Sequence, residues 1–164
     1  MRSELDFEEF ASDTSDRFFR TAYAITRDHA LAEHAVQSAL AAAYSRWRKV
    51  SSRDPEAYVR RMIVNEILGS GRRRPTSAPT EAPVRRYVAS PEQQVVDTDA
   101  VWTALLELPV GQRAIIVLCY YERLSEVEIA ATLGIRPETI TDETSTALAN
   151  LRRLLTVSRQ GARA

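Results

Sequence analysis

Between Ala32 and Trp47 the apolar residues return every three or four positions: Ala32, Ala35, Val36, Ala39, Leu40, Ala43 and Trp47. That interval keeps side chains on one face of an α-helix, whereas a strand would need an interval of two. The same interval links Phe7, Phe10, Phe18, Ala22 and Ile25 before it, and Val59, Met62, Ile63 and Ile67 after it. Alternating apolar patterns are missing and glycine is scarce. Such a chain buries its stripes by packing helix on helix, so an all-α fold is expected.

The helix boundaries carry chemical signals. Asp28 and Asp54 are N-cap residues, and Pro55 stands where a first-turn proline costs nothing. The helix that Pro55 opens is expected to end near Gly69 and Gly71. In the rear of the chain, Val101, Leu105 and Leu108 form a short helix stopped by Pro109, and an almost wholly apolar helix follows from about Gly111 to Tyr121. Ser125-Glu126-Val127-Glu128 is a capping box, Gly134 is a helix stop, and Pro137 starts a last helix with Ile140, Thr144, Ala147, Leu148, Leu151 and Leu155 inward. A short capped helix, a glycine turn and a longer helix predict a helix-turn-helix.

Between these parts Pro75, Pro79, Pro83 and Pro91 interrupt a stretch rich in Ser, Thr and Ala. Proline at that density forbids a continuous helix. The expected organisation is two small helical domains, 1–74 and 98–164, joined by a flexible Pro-rich linker, 75–97.

Apolar residues are 45% of the chain, enough for a real core. Lys plus Arg equal Asp plus Glu at 22 each, so net charge favours no class of partner and only local clustering can. The lone cysteine, Cys119, lies in the apolar run AIIVLCYY and reads as a small core residue in a reducing compartment. The start, MRSELDFEEF, is acidic and does not read as a signal peptide, and no stretch approaches the roughly 18 apolar residues of a membrane span. A soluble cytoplasmic protein without membrane partners is expected. His29 and His34 are five residues apart, off same-face spacing, and have no accompanying thiol or acid cluster, so no metal is expected. No phosphate loop, catalytic triad or paired carboxylates appear. Neither an enzyme nor a cofactor is expected.

Two features remain. Arg60, Arg61, Arg72, Arg73 and Arg74 are the densest positive charge of the front half. They suit phosphates and base edges, although cations at a helix C-terminus also arise for dipole reasons alone. The outward face of the last helix holds Glu138, Thr141, Asp142, Ser145, Thr146 and Ala149, with no base among them. Affinity for DNA comes largely from neutralising phosphates, which acid opposes.

Module order and motifs together resemble the extracytoplasmic-function sigma factors, in the short form common in actinobacteria. FEEFASDTSDRFFRTAYAITRDHALAEHAVQSALAAAYSRWRKV, DPEAYVRRMIVNEI and RRR are similar to that family's region 2, a helical bundle. LPVGQRAIIVLCYYERLSEVEIAATLGIRPETI is similar to its region 4, a helix-turn-helix. The resemblance implies a transcription-initiation factor whose partners are the RNA polymerase core, promoter DNA and a regulator such as an anti-sigma factor. By position, Glu33, His34, Val36, Gln37 and Leu40 would dock on polymerase. Lys49, Ser51 and Arg53, with Arg60, Arg61, Asn65 and Arg72, Arg73 and Arg74, would contact the −10 side of the promoter. Arg136, Thr139, Thr141, Ser145 and Thr146 would face the upstream element.

The chain departs from the pattern at His34, Ala35 and Ser38, at Gly69-Ser70-Gly71, and at Thr141 and Thr146, where the family usually has lysine and arginine. Two readings follow. One is a working sigma factor with a weak upstream contact. The other is a degenerate sigma-like regulator that meets a protein instead. A plain helix-turn-helix repressor ranks last, because its basic reading face is missing.

Overall fold

The computed structural model describes residues 2–73 and 98–161; the expected linker and Arg74 lie outside the described residues. The front half has a long helix α1 (Arg2–Thr26), α2 (His29–Ser45), a one-turn helix α3 (Trp47–Val50) and α4 (Pro55–Arg73). The rear half has α5 (Thr98–Glu107), α6 (Val110–Ile116), a π-helical turn (Val117–Tyr121), α7 (Glu126–Leu133) and α8 (Pro137–Gly161). No strand occurs among the described residues.

The caps are where the sequence puts them. Asp28 Oδ1 accepts from Leu31 N at 3.0 Å, and Asp54 Oδ1 accepts from Ala57 N at 2.9 Å. Ser125 and Glu128 form both halves of the capping box. Ser125's backbone N–H and then its hydroxyl hold the Glu128 carboxyl below the usual carboxylate range, against a small desolvation effect. The Glu128 half of the box is therefore at full strength above the ordinary carboxylate pKa and weakens as pH falls through the depressed one, while the Ser125 hydroxyl keeps its half. Ser125→Ala should cost about 1 kcal/mol in urea unfolding at neutral pH. Gly134 ends α7 with φ +69°, a conformation that favours glycine.

Three local features differ from expectation. The stripe of α2 stops at Ser45, and Trp47 belongs to the separate turn α3, held between Phe7 and Phe10 with ring centroids 5.1 Å away in each case. The apolar helix of the rear half switches from α to π at Val117, so that Glu122 N donates to Val117 O, five residues back. Helix α4 does not end near Gly69 but runs to Arg73. Glycine lowers helix propensity without ending a helix that keeps ordinary α geometry, and the arginines beyond it are good helix formers. A Cβ at Gly69 would meet nothing within 4 Å. Gly69→Ala should therefore stabilise the chain by about 0.5–1 kcal/mol, read as a raised melting temperature.

The two halves share one core. Ile25, Val36, Val59, Ile63, Val64 and Ile67 of the front half cluster with Ala114, Val117, Leu118, Ile129, Ala130 and Ile140 of the rear. Helix α4 packs on α7, and α1 packs on α6 and the π turn. A smaller cluster of Leu105, Leu108, Ile116 and Ala147 belongs to the rear half alone.

Candidate functional site

The expected docking residues separate by exposure. Glu33, His34 and Gln37 face solvent on α2. Val36 is only 6% exposed and Leu40 is half-buried, and both pack in the core. The α2 repeat puts positions 32, 35, 36, 39 and 43 inward, so of the five residues expected to dock only Glu33, His34 and Gln37 are exposed. Gln37 Nε2 donates to Glu33 Oε1 at 3.4 Å, and His34 Nε2 lies 3.6 Å from Glu66 Oε1 on α4.

The basic side is built on α3, α4 and the loop between them. Buried Trp47 and Val50 pin α3, Ser51 N donates to Trp47 O at 2.8 Å, and Arg53 N donates to Val50 O at 3.1 Å. Lys49, Ser51 and Arg53 are thus exposed on a short, anchored turn. On α4, Arg61 and Asn65 are exposed one helical turn apart. The α4 backbone carries Arg72 and Arg73 onward in the same helix.

Arg60 is different. Its side chain is 12% exposed, with Nη2 4.0 Å from Glu56 Oε2 and Nε 3.9 Å from Glu122 Oε2. The Nε has no hydrogen-bond partner. Arg17 of α1 completes this polar seam with a 2.5 Å ion pair to Glu56. Arg17, Arg20, Glu56, Arg60, Tyr121 and Glu122 line a cleft between the halves.

The helix-turn-helix places Arg136, Glu138, Thr141, Asp142, Ser145 and Thr146 outward, with Thr139 half-buried. Thr141 Oγ1 donates to Glu126 Oε1 of α7 at 3.0 Å, and Ser145 Oγ donates to Thr141 O at 2.9 Å. Two of the hydroxyls expected to read DNA are thus engaged within the protein. Glu126 brings further acid to this face, which the last helix alone did not reveal.

Both domains of a known family are present. The Sigma-70 region 2 model matches residues 5–75, and the Sigma-70, region 4 model matches residues 98–151. The chain is 32% identical over 166 residues to the RNA polymerase sigma-E factor of Streptomyces coelicolor, covering 100% of this chain and 94% of that one. The chain belongs to the sigma-70 family, in its extracytoplasmic-function type. The sigma-E factor of Streptomyces antibioticus is 33% identical over 162 residues, covering 98% of this chain and 90% of the relative. Among solved structures, the fold matches the sigma factor RpoE in complex with the anti-sigma factor NepR from Bartonella quintana. The TM-score is 0.69 at 23% identity, over 93% of this chain and 98% of that one. It also matches CnrH in complex with the cytosolic domain of CnrY, with TM-score 0.64 at 20% identity, over 94% of this chain and 90% of that one.

Sequence reasoning missed two residues of this sigma factor. Arg113 donates from Nε to Leu105 O (2.8 Å), from Nη1 to Ile25 O (2.7 Å), and from Nη2 to Leu106 O (2.9 Å) and Leu108 O (3.0 Å). Burial, and then the nearby Arg27, pull its pKa below the usual guanidinium range. Its only signal was a lone cation beside an apolar run. Glu122 is the other. Its signal was an acid directly after that run, and its partners lie in the front half, out of reach of any local pattern.

Proposed function

We propose that this sigma factor directs core RNA polymerase to promoters and holds them mainly through its front half. Region 2 spans 1–74, a linker spans 75–97, and region 4 spans 98–164. Glu33, His34 and Gln37 form the exposed part of the polymerase contact. Lys49, Ser51, Arg53, Arg60, Arg61, Asn65 and Arg72–Arg74 take the −10 side. Arginine forks bind backbone phosphates, and Asn65 together with the pinned 49–53 turn suits bases freed from the stack. Upstream contact through Arg136, Thr139, Thr141, Ser145 and Thr146 is weak.

One observation carries this reading: Arg48, Lys49, Arg53 and Arg61 are exposed on α3, α4 and the loop between them, while the α7–α8 face sets Glu126, Glu138 and Asp142 beside Arg136 and around engaged hydroxyls. Phosphate neutralisation dominates DNA affinity, so the two faces differ in grip. The same acid favours a second role for that face, contact with a basic surface on a protein regulator. Run-off transcription with purified core polymerase across a promoter library tests the main reading. A discrete transcript that depends on this chain supports it; a folded chain giving none refutes it.

A further inference from the structure

Helix α8 separates its charges by sign. From Pro137 to Ala149 it carries Glu138, Asp142 and Glu143 and no base. From Asn150 to Gly161 it carries Arg152, Arg153 and Arg159 and no acid. All six are exposed, and none has an ion pair among the described residues. The helix dipole favours acid in the first turn and base in the last, which accounts for Glu138 and Arg159. Its reach is one turn, so it does not account for Asp142, Arg152 or Arg153 farther inside. At about 3.6 residues per turn, Glu138, Asp142, Thr146, Ala149 and Arg153 fall on one outward face. Asp142 and Arg153 lie equally far to either side of the step between Ala147 and Leu148, and Glu138 and Arg159 are matched about nearly the same level.

We propose that this face of α8 takes a second copy of the chain, packed antiparallel about a two-fold axis near Leu148. The proposal rests on the second role given above to the α7–α8 face, contact with a basic protein surface, and it names that surface as the rear half of the same helix in another copy. A two-fold contact is self-complementary. Where one copy's Asp142 meets the partner's Arg153, its own Arg153 meets the partner's Asp142. Glu138 and Arg159 meet on the same terms, so each pair occurs twice. With a rise of about 1.5 Å per residue, the Asp142–Arg153 pairs stand about 8 Å to either side of the axis. Between them only the small Ser145, Thr146 and Ala149 face outward, and small side chains let two helices approach closely. Acid that repels phosphate here attracts the opposite end of its own helix. The pair covers Ser145 and Thr146, two of the residues assigned to upstream contact, so self-association and upstream DNA exclude each other.

Sedimentation equilibrium of the full chain at low salt, from about 1 to about 200 μM, tests this. Wild type should dimerise with a dissociation constant on the order of 10 μM, since one helix pair buries less than a standard interface. Added salt should weaken it. Asp142→Arg and Arg153→Asp should each weaken it about tenfold, because attraction becomes repulsion at two places. Mixed in equal amounts, the two variants should pair with each other within about threefold of wild type, since each supplies the charge the other lacks. The double variant should pair with itself equally well. Both positions are exposed, and circular dichroism checks that each variant is folded. A wild type that stays monomeric, a dimer that neither reversal weakens, or reversals that mixing does not rescue would overturn the proposal. Anisotropy of a labelled hexa-arginine peptide separates that outcome from failure of the underlying reading. A monomer that binds the peptide, and loses it on Asp142→Arg, leaves the face a site for basic protein and removes the second copy as its occupant. A monomer that does not bind the peptide removes both.

Discussion

Arg113→Ala should lower the free energy of unfolding by on the order of 3 kcal/mol, because each hydrogen bond from a charged donor contributes about 1.5–3 kcal/mol and the four are not independent. The guanidinium answers the carbonyls of Leu105 and Leu106 at the end of α5, and of Leu108 just beyond it. A helix leaves its last carbonyls unpaired, and this side chain takes the place of a cap. It also reaches Ile25 O near the end of α1, and so fastens both halves with one planar group. Its charge is held at a desolvation cost and beside Arg27. Removal leaves several carbonyls without a partner in a partly buried place. Lysine, with one ammonium, fits fewer of the four acceptors, so Arg113→Lys should recover less than half of the loss. Urea unfolding followed by circular dichroism measures both. A loss under about 1 kcal/mol for alanine would show that water serves these carbonyls equally well.

The second large effect is a gain. The triple change Thr141→Lys, Asp142→Ser and Thr146→Arg adds two cations to the outward face of α8 and removes one anion. Upstream duplex affinity of the full chain should rise at least tenfold at low salt, with a steeper fall as salt increases. Each added phosphate contact steepens the logarithmic salt slope by about 0.9. Glu126 limits the gain, since it already holds the Thr141 hydroxyl and would pair with a lysine placed there. Adding Glu126→Gln should release a further increase. A mobility-shift titration at several salt concentrations reads both slope and affinity. An unchanged slope would mean that this face does not approach DNA.

Local chemistry carried most of the fold. Asp28, Asp54, Ser125, Glu128 and Gly134 act within four residues of themselves, so their neighbours in sequence are their neighbours in space. The stripes of α1, α2, α4 and α8 were legible for the same reason, and Ile25, Ile63 and Ile140 are buried as their spacing requires. Gly69 is a weak helix former and not a stop, because nothing forces positive φ there. The π turn left no trace in the apolar run AIIVLCYY, because continuous burial has no period to shift. Val36 and Leu40 were legible as stripe residues; the resemblance gives them a docking role, while the fold buries Val36 and half-buries Leu40.

The seam between the halves was the least legible part. Thr21 and Glu122 are 101 residues apart, and Arg113 and Ile25 are 88 apart. A cation, an acid and a threonine taken singly read as side chains that face water. Only the closed arrangement makes them partners. The acid on the reading helix, by contrast, was visible at once, and the fold strengthened its meaning by adding Glu126 from α7.

A hydroxyl-radical footprint of the complete polymerase, carrying this sigma factor, on a promoter it transcribes tests the division of labour most directly. The predicted pattern is firm protection beside the start site that weakens on Arg61→Ala, with faint upstream protection that fades first as salt is raised. Upstream protection as deep and as salt-resistant as that beside the start site would contradict it.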